Sequence, residues 1–337
     1  MALERLGWDR SWAEALRTAT RGSKDRDLLP GRVVREHRGA WDVETDRGEQ
    51  TLKVPGSVRH RGNPIDLPAV GDWVICQLPK GRRGAIVKVL PRRSLFVRRA
   101  AGLKARPQAV AANVDVALVL LGLDGDFNMR RLERYLAATC DSGAEPVIVL
   151  NKRDLLPEWE ERVAQVKERT EVLTVATNAL SGELGPLPEL LQPGRTFCLL
   201  GSSGVGKSTV LNAMMGHEVA RTQEVRERDQ KGRHTTTHRE LFALPGGALI
   251  IDTPGMRELQ LWEADEGLQT AFEDISRLSA DCPFRDCEHR TEPDCAVLNA
   301  IAEGQLERER LDSWRTLRGE LDQQAWQKEL ERRRRPR

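Results

Sequence analysis

The feature that most restricts the fold of this chain is a glycine-rich octapeptide between an apolar segment and a helical one. Gly201-Ser202-Ser203-Gly204-Val205-Gly206-Lys207-Ser208 follows the strand-like run 196–200 and opens the helix-like run 208–215, with Thr209 extending the motif. In this context the pattern is a P-loop, whose glycines let backbone N–H groups converge on a phosphate at a helix N-terminus. Lys207 is therefore expected to reach the β- and γ-phosphates as a catalytic residue, and the Ser208 hydroxyl is expected to bind Mg²⁺.

Two further motifs follow apolar strands and complete a guanine-nucleotide pattern. Asn151-Lys152-Arg153-Asp154 ends the run 146–150, and Asp252-Thr253-Pro254-Gly255 ends the run 248–251. The Asp154 carboxylate can accept hydrogen bonds from N1–H and the exocyclic amine of guanine, an arrangement adenine does not offer. Asp252 is expected to hold Mg²⁺ through water, and the N–H of Gly255 to sense the γ-phosphate. The motifs therefore predict a site for GTP and GDP.

These motifs occur in an unusual order. Ordinary GTPases run from P-loop to switch threonine, DxxG and NKxD, whereas here NKRD at 151 precedes the P-loop at 201 and DTPG at 252. Loops at the carboxyl ends of parallel strands meet at one sheet edge, so spatial neighbours need not follow a fixed chain order. The alternation of apolar strands with helical segments from about residue 110 predicts a circularly permuted α/β P-loop GTPase domain.

The chain before this region has a different rhythm. Five short strand-like runs bounded by turn residues occupy 31–35, 41–45, 50–54, 72–78 and 84–90. Such a series indicates a small all-β barrel, either OB-fold-like or SH3-like. With 337 residues, the chain is expected to form an N-terminal extension (1–30), an RNA-binding barrel (31–95), the GTPase domain (96–262) and a zinc-binding helical C-terminal module (263–337).

A basic interval indicates a polyanionic partner, although the formal net charge of the whole chain is only +2. Between Asp72 and Asp115 there is no acidic residue, while ten cations stand in that interval. Such a surface favours RNA over a merely solvated face. The residues predicted to bind RNA are Lys80, Arg82, Arg83, Lys88, Arg92 and Arg93.

Three cysteines and a histidine crowd into one short stretch near the end of the chain. Cys282, Cys287, His289 and Cys295 supply three thiolates and one imidazole, which complete a tetrahedral zinc shell with no open position. The site is therefore predicted to be structural and to hold one Zn²⁺. A disulfide is disfavoured in the cytosolic setting we expect, and no apolar run reaches the length of a membrane span.

At this point the sequence resembles the circularly permuted ribosome-assembly GTPases of the RsgA (YjeQ) type. The resemblance rests on GSSGVGKST, on Lys231-Gly232-Arg233-His234-Thr235-Thr236-Thr237 and on the Cys/His pattern, and it covers nearly the whole chain. It implies an OB-fold and a zinc module that clamp the small ribosomal subunit and its rRNA, in late maturation of that subunit. It further implies a switch region in which one of Thr235, Thr236 and Thr237 completes the Mg²⁺ shell, and we take Thr236 as that catalytic ligand.

One motif departs from the family's pattern. The fifth guanine motif usually reads Ser-Ala, but here the stretch is Thr177-Asn178-Ala179. Ala179 can still offer its backbone N–H to the guanine O6, and Asn178 takes the position of the serine.

The residue after DTPG also bears on catalysis. Met256 stands where Ras-type GTPases carry a water-orienting glutamine, so His234 is expected to supply that group. Two other interpretations stay open: a nucleotide-gated RNA-binding module with incidental hydrolysis, and a GTPase of large-subunit assembly. The protein is expected to be a cytoplasmic monomer.

Overall fold

The structure is a computed structural model that describes residues 3–23, 27–56, 63–79, 83–99, 107–218, 239–252 and 265–333. The strands are β1 Leu28–His37, β2 Ala40–Thr45, β3 Gly48–Leu52, β4 Trp73–Gln77, β5 Ala85–Val89, β6 Leu95–Arg99, β7 Pro107–Ala112, β8 Val116–Gly122, β9 Glu145–Asn151, β10 Thr174–Ala176, β11 Thr196–Leu200, β12 Glu240–Ala243 and β13 Leu249–Asp252. The helices are α1 Arg10–Thr20, α2 Met129–Ser142, α3 Trp159–Thr170, α4 Leu187–Leu190, α5 Lys207–Met215, α6 Asp265–Ala271, α7 Glu273–Ser279, α8 Ala296–Ala302 and α9 Arg308–Arg333.

The chain divides into two compact units. The first comprises Met1–Phe127 and Gly143–Leu259, and the second comprises Asn128–Ser142 and Gln260–Arg337. Helix α2, which lies between β8 and β9 in sequence, thus belongs to the second unit by its packing. Among the helices that the structure describes, none is both long enough and apolar enough to span a membrane.

The first five strands form a closed barrel. Strand β1 pairs with β2 and β4, β2 pairs with β3, and β4 pairs with β5, all antiparallel. Lys53, just after β3, bridges in parallel to Ala85 of β5, and the Ile86 N–H donates to the Lys53 carbonyl at 3.0 Å. The circuit β1-β2-β3-β5-β4 is that of an OB-fold barrel. Its buried core comprises Val33, Trp41, Val43, Leu52, Val74, Cys76 and Ile86.

The nucleotide-binding pattern lies on a mostly parallel sheet. Strands β10, β9, β8, β11 and β13 are parallel neighbours in that order, and β12 joins β13 antiparallel. Every residue of β8 and β11 is buried, which is typical of central strands covered on both faces. The parallel direction brings the carboxyl ends of β8, β9, β11 and β13 to one edge.

The barrel and this sheet share a strand contact. Strand β12 pairs antiparallel with β1 through Arg35 and Glu240, so the barrel strands continue the parallel sheet at its β12 edge. Arg35 also forms an ion pair with Glu240, and Arg239 forms one with Glu36 at 2.6 Å. The hairpin β6–β7, which the sequence patterns did not predict, lies in sequence between the barrel strands and the strands of the parallel sheet.

The N-terminal segment is folded onto the barrel. Asp9 caps helix α1 by accepting hydrogen bonds from the N–H groups of Ser11 and Trp12 at 2.9 and 3.1 Å. The buried Trp12 and its neighbour Trp8 both contact the Trp73 ring of β4. The sequence explains why helix α1 begins at this point, because an Asp before a helical run is a strong N-cap.

The second unit is helical. Helix α2 packs against α6 and α9, and Gly267 of α6 is needed for that contact: a Cβ there would lie 2.5 Å from the Ala137 carbonyl oxygen. A buried guanidinium, Arg310 of α9, donates to Glu133 at 3.0 Å and to Asp274 at 2.9 Å. This ion-pair triad fixes α2, α7 and α9 to one another.

Candidate nucleotide site and metal centre

The amide of Asn151 joins three predicted motifs. Its Nδ2 donates to the Val205 carbonyl of the P-loop at 3.0 Å, and its Oδ1 accepts from Thr177 Oγ1 at 3.0 Å and from the Ala179 N–H at 3.1 Å. Asn151 is buried at the end of β9. The residue therefore holds the P-loop and the fifth guanine motif at the same sheet edge.

Glycines shape the P-loop around these contacts. Gly206 has φ 99°, and a Cβ there would lie 2.3 Å from Asn151 Nδ2. Gly201 has φ 146°, and a Cβ there would lie 2.6 Å from the Leu120 carbonyl. Side chains at either position would therefore displace the loop from the strands it contacts. Ser203 and Gly204 are exposed at the tip, while Ser208 and Thr209 lie in the first turn of α5.

Lys207 points back into its own loop. Its ammonium donates to the carbonyl of Gly201 at 2.8 Å and to that of Ser202. The cation is thus held over the residues that precede the helix N-terminus, where backbone N–H groups and helix dipole favour an anion. Phosphate oxygens bound there would compete for the same ammonium.

Asp154 lies in a short 3₁₀ turn, Arg153–Leu155, and its carboxylate side chain is exposed. The preceding Lys152 has a left-handed backbone with φ 65° and forms an ion pair with Asp124 at 2.6 Å. Arg153 pairs with Glu183 and lies 5.4 Å above the Trp159 ring. The turn is therefore fixed by the neighbours of Asp154, which leaves that carboxylate free of side-chain hydrogen bonds among the described residues.

Several predicted residues lie outside the described part of the chain. Strand β13 ends at Asp252, as predicted, but Gly255 of the same motif, the switch residues His234 and Thr236, and the basic residues Lys80 and Arg82 fall in ranges that the structure does not describe. Their predicted roles stay predictions. Asn178 forms a backbone bridge to Glu183, and its side-chain Oδ1 is buried without a hydrogen-bond partner among the described residues.

Two acidic residues of the site were not predicted from sequence. Asp124 and Asp126 follow β8 at the same sheet edge, where Asp124 pairs with Lys152 and Asp126 accepts from Ser202 Oγ at 2.8 Å. Partial burial raises the pKa of Asp124, but hydrogen bonds from Lys152 and from the Asp126 N–H outweigh it and leave that pKa below its usual value. The available signal was their position directly after a buried parallel strand.

The basic residues of the barrel divide into two groups. Arg83 and Lys88 are exposed, Lys88 on strand β5. Arg92 instead forms two hydrogen bonds to the buried Asp72, at 2.9 and 2.7 Å, and donates to the carbonyls of Ile65 and Leu67. All its donor atoms thus face the protein.

Arg93 is the second cation of the predicted RNA-binding set with a partner in the chain. It forms a half-exposed ion pair with Asp9 at 2.7 Å and lies 4.4 Å above the Trp12 ring. The contacts of Arg92 and Arg93 fix the barrel and the N-terminal helix, and only Arg83 and Lys88 present uncompensated charge among the described members of the predicted RNA-binding set.

The four predicted metal ligands lie together, with all ligand atoms within 4.8 Å of one another. The Cys282 and Cys287 sulfurs are 3.8 and 3.7 Å from the Cys295 sulfur, and His289 Nδ1 is 3.6 and 3.3 Å from the sulfurs of Cys282 and Cys295. A tetrahedron with Zn–S bonds of about 2.3 Å has S···S edges of roughly 3.8 Å. The cluster can therefore hold one metal ion, and its dimensions fit zinc.

The tautomer of His289 follows from its hydrogen bonds. Its Nε2 is 3.0 Å from Ser279 Oγ, and that hydroxyl donates its proton to the Ile275 carbonyl at 2.7 Å. Nε2 must therefore carry a proton and donate to Ser279, which leaves the lone pair of Nδ1 directed at the three sulfurs. Burial lowers the pKa of His289, which favours the neutral form that a metal requires.

The site combines a P-loop at the end of β11 with NKRD at the end of β9, and NKRD comes first along the chain. This arrangement defines a circularly permuted P-loop GTPase. The chain belongs to the RsgA GTPase family, whose model matches residues 89–262. It is 44% identical to a small ribosomal subunit biogenesis GTPase RsgA of Opitutus terrae, over 95% of this chain and 90% of that protein. It is 41% identical to a protein of the same name from Syntrophotalea carbinolica, over 98% and 92%.

Solved structures agree with the fold. The crystal structure of YjeQ from Thermotoga maritima matches with a TM-score of 0.65 and 27% identity, over 87% of this chain and 98% of that chain. That of YloQ, a circularly permuted GTPase, matches with a TM-score of 0.64 and 23% identity, over 94% and 99%. The chain is accordingly a GTP-hydrolysing enzyme, and the predicted fold class and family are confirmed.

Proposed function

We propose that this GTPase acts as a checkpoint late in maturation of the small ribosomal subunit, in the cytoplasm and as a monomer. The observation that carries the enzymatic half of the proposal is the Asn151 amide, which unites NKRD, the P-loop and the fifth guanine motif. The ribosomal half is supported by relatives of 41–46% identity that are named small ribosomal subunit biogenesis GTPases.

The predicted residues of the site have proposed roles toward GTP. Asp154 accepts from the guanine N1–H and amine, and the Ala179 N–H, now given to Asn151 Oδ1, is shared with the guanine O6. The P-loop N–H groups and Lys207 bind the β- and γ-phosphates. Mg²⁺, when bound with GTP, supplies positive charge at these phosphates, and Ser208, Asp252 and Thr236 are its proposed protein ligands.

The water-orienting group is proposed to be His234. An imidazole both accepts and donates hydrogen bonds, whereas the thioether of Met256 cannot orient a water. We propose that docking on the subunit brings this histidine to the attacking water, which couples binding to hydrolysis. The variant His234→Ala should then keep its nucleotide affinity and lose the stimulation by small subunits.

Two regions are proposed to hold the rRNA. The positive charge comes from Arg83 and Lys88 on the barrel, together with Lys80 and Arg82 of the neighbouring sequence, because Arg92 and Arg93 are engaged within the chain. The second region is the Cys/His module, and the bound metal is proposed to be one structural Zn²⁺. When bound, the ion would tie the chain around Cys282 to the chain around Cys295 and so add to the folding energy of the module.

The test is GTP turnover with no ribosomal particles, with small subunits and with large subunits. We expect slow intrinsic turnover and stimulation by small subunits alone. Stimulation by large subunits alone would assign the enzyme to the other subunit, and RNA binding without stimulation would indicate a nucleotide-gated RNA-binding module. Lys207→Ala should abolish turnover under all three conditions, while Lys167→Ala on helix α3, an exposed lysine outside the site, should not.

A further inference from the structure

The loop that follows β8 contacts both ends of the predicted nucleotide site. We define this acidic loop as residues 123–127, Leu-Asp-Gly-Asp-Phe. Its first residue is tied to the NKRD strand, because the Leu123 N–H donates to the Asn151 carbonyl at 2.8 Å. Its last residue, Phe127, lies under the Arg162 guanidinium of α3 at 4.7 Å. The loop is thus anchored at both ends on the same sheet edge as the site.

The first aspartate of the loop contacts the base side. Asp124 Oδ2 accepts from the Lys152 ammonium at 2.6 Å, and both side chains are partly buried, with 24% and 29% of their surface exposed. The backbone is adapted to this contact, because a Cβ on Gly122 would lie 2.7 Å from Asp124 Oδ1. The left-handed backbone of Lys152 further restricts where its side chain can go.

The second aspartate contacts the phosphate side. Asp126 Oδ2 accepts from the Ser202 hydroxyl of the P-loop at 2.8 Å, and the Asp126 N–H donates to Asp124 Oδ1 at 3.1 Å. The Asp124 carboxylate is therefore tied to the backbone of Asp126 within the loop. One short segment fixes a side chain of NKRD and a side chain of the P-loop at the same time.

Lys152 lies between Asn151, which organises the site, and Asp154, which reads the base. The ion pair with Asp124 fixes the position of the Lys152 ammonium, and the four-carbon stem that leads to it presents an apolar surface. A guanine ring bound by Asp154 can pack on such a stem. We call the ion pair between Asp124 and Lys152 the tether. Without the tether, the Lys152 stem would lose this orientation whenever its ammonium moved into water.

We propose that Asp124 is a positioning residue for guanine, which acts through Lys152 and not by contact with the nucleotide. This inference rests on the proposed nucleotide site. Because the tether acts at the base, it affects GTP and GDP alike. A partly exposed ion pair contributes up to about 1 kcal/mol, which corresponds to a two- to fivefold change in Kd.

The test is a double-mutant cycle read by nucleotide affinity. Kd values for GTP and GDP are measured for the parent, Asp124→Asn, Lys152→Ala and the double variant, together with their melting temperatures. We expect Asp124→Asn to raise both Kd values two- to fivefold in the parent and to have no further effect in the Lys152→Ala background. Asp124→Glu, which restores the charge, should recover most of the affinity.

The matched control is Glu145→Gln, which removes an exposed ion pair with Arg195 at the opposite end of β9 and should leave both Kd values unchanged. Equal effects of Asp124→Asn with and without Lys152 would overturn the proposal, as would unchanged affinity in the parent background. A parent protein that binds neither GTP nor GDP would reject the nucleotide site itself, which separates failure of the site from failure of the tether.

Discussion

At the scale of single residues, Asp154 differs from its neighbours in what its side chain contacts. Asn151, Lys152 and Arg153 each hydrogen-bond to another part of the chain, and Asp154 makes no such side-chain contact among the described residues. Contacts of the neighbouring residues hold the turn, while the carboxylate of Asp154 is exposed. Such a carboxylate can bind a purine edge without first breaking an internal hydrogen bond, so its chemistry determines which base is chosen.

Replacing Asp154 with asparagine should therefore change base choice more than folding. An amide offers one acceptor and one donor, so it loses a hydrogen bond to guanine and gains one to the O2 carbonyl of xanthine. We expect GTP affinity to fall by at least tenfold and the GTP-to-XTP preference to decrease by a larger factor. Competition binding with the two nucleotides measures both, and an unchanged preference would show that Asp154 does not read the base.

At the scale of elements, helix α7 supports the metal cluster through one hydroxyl. Ser279 accepts from His289 Nε2 and so selects the tautomer whose Nδ1 faces the sulfurs. Ser279→Ala should keep one zinc per chain but lower zinc affinity about tenfold, as loss of a hydrogen bond to a ligating histidine does elsewhere. Elemental analysis and competition with a coloured chelator provide the two measurements.

The control for this experiment is on the same helix. The Ser276 hydroxyl donates to the Gln269 carbonyl and has no contact with the cluster among the described residues, so Ser276→Ala should leave zinc affinity unchanged. Equal affinity in both variants would assign Ser279 a packing role only. Less than a tenth of an equivalent of zinc in the parent protein, purified without chelator, would reject zinc as the metal.

The helices of the second unit also depend on a buried ion-pair triad. Arg310 is almost fully buried, whereas Arg318 of the same helix is half-exposed in its ion pair with Asp265. Arg310→Ala removes a buried cation that donates to the buried Glu133 carboxylate and should cost about 3–5 kcal/mol of unfolding free energy. Arg318→Ala should cost at most about 1 kcal/mol. Urea unfolding followed by circular dichroism compares them, and similar losses would contradict the buried-charge account.

At the scale of the whole molecule, the sequence was most informative where local chemistry decides the structure. The P-loop, the strand before it and the ends of β9 and β13 follow from residue spacing, and the structure has strands at these positions. Side-chain pairs that connect distant segments could not be predicted in this way. Asp124 with Lys152, and Arg310 with Glu133, are paired only by the folded backbone, and no local pattern marks them.

Arg32 illustrates the same limit within the first unit. An arginine on a barrel strand would be expected from sequence to lie on the surface, but Arg32 is buried. Its guanidinium donates to the carbonyls of Leu6, Gly71 and Asn113 and to Thr196 Oγ1. Burial lowers the pKa of Arg32 to about 10, so the group stays charged at neutral pH. It thereby links the N-terminal segment and the barrel to the first residue of β11, which leads into the P-loop.

The charge of the barrel surface determines the last prediction, which concerns binding to small subunits. Each cation that neutralises an RNA phosphate releases a counterion, so log K should fall linearly with log salt concentration. The double variant Arg83→Glu with Lys88→Glu should weaken binding and reduce this slope by about two, because each removed phosphate contact lowers it by about one. Basal GTP turnover should stay unchanged, since neither residue belongs to the nucleotide site.

The control Lys167→Glu with Arg169→Glu makes the same change in net charge on helix α3 and should leave the slope as in the parent. Co-sedimentation with small subunits across a salt series measures the slopes. Equal slopes for the two double variants would show that binding depends on the net charge of the protein and not on the barrel cations.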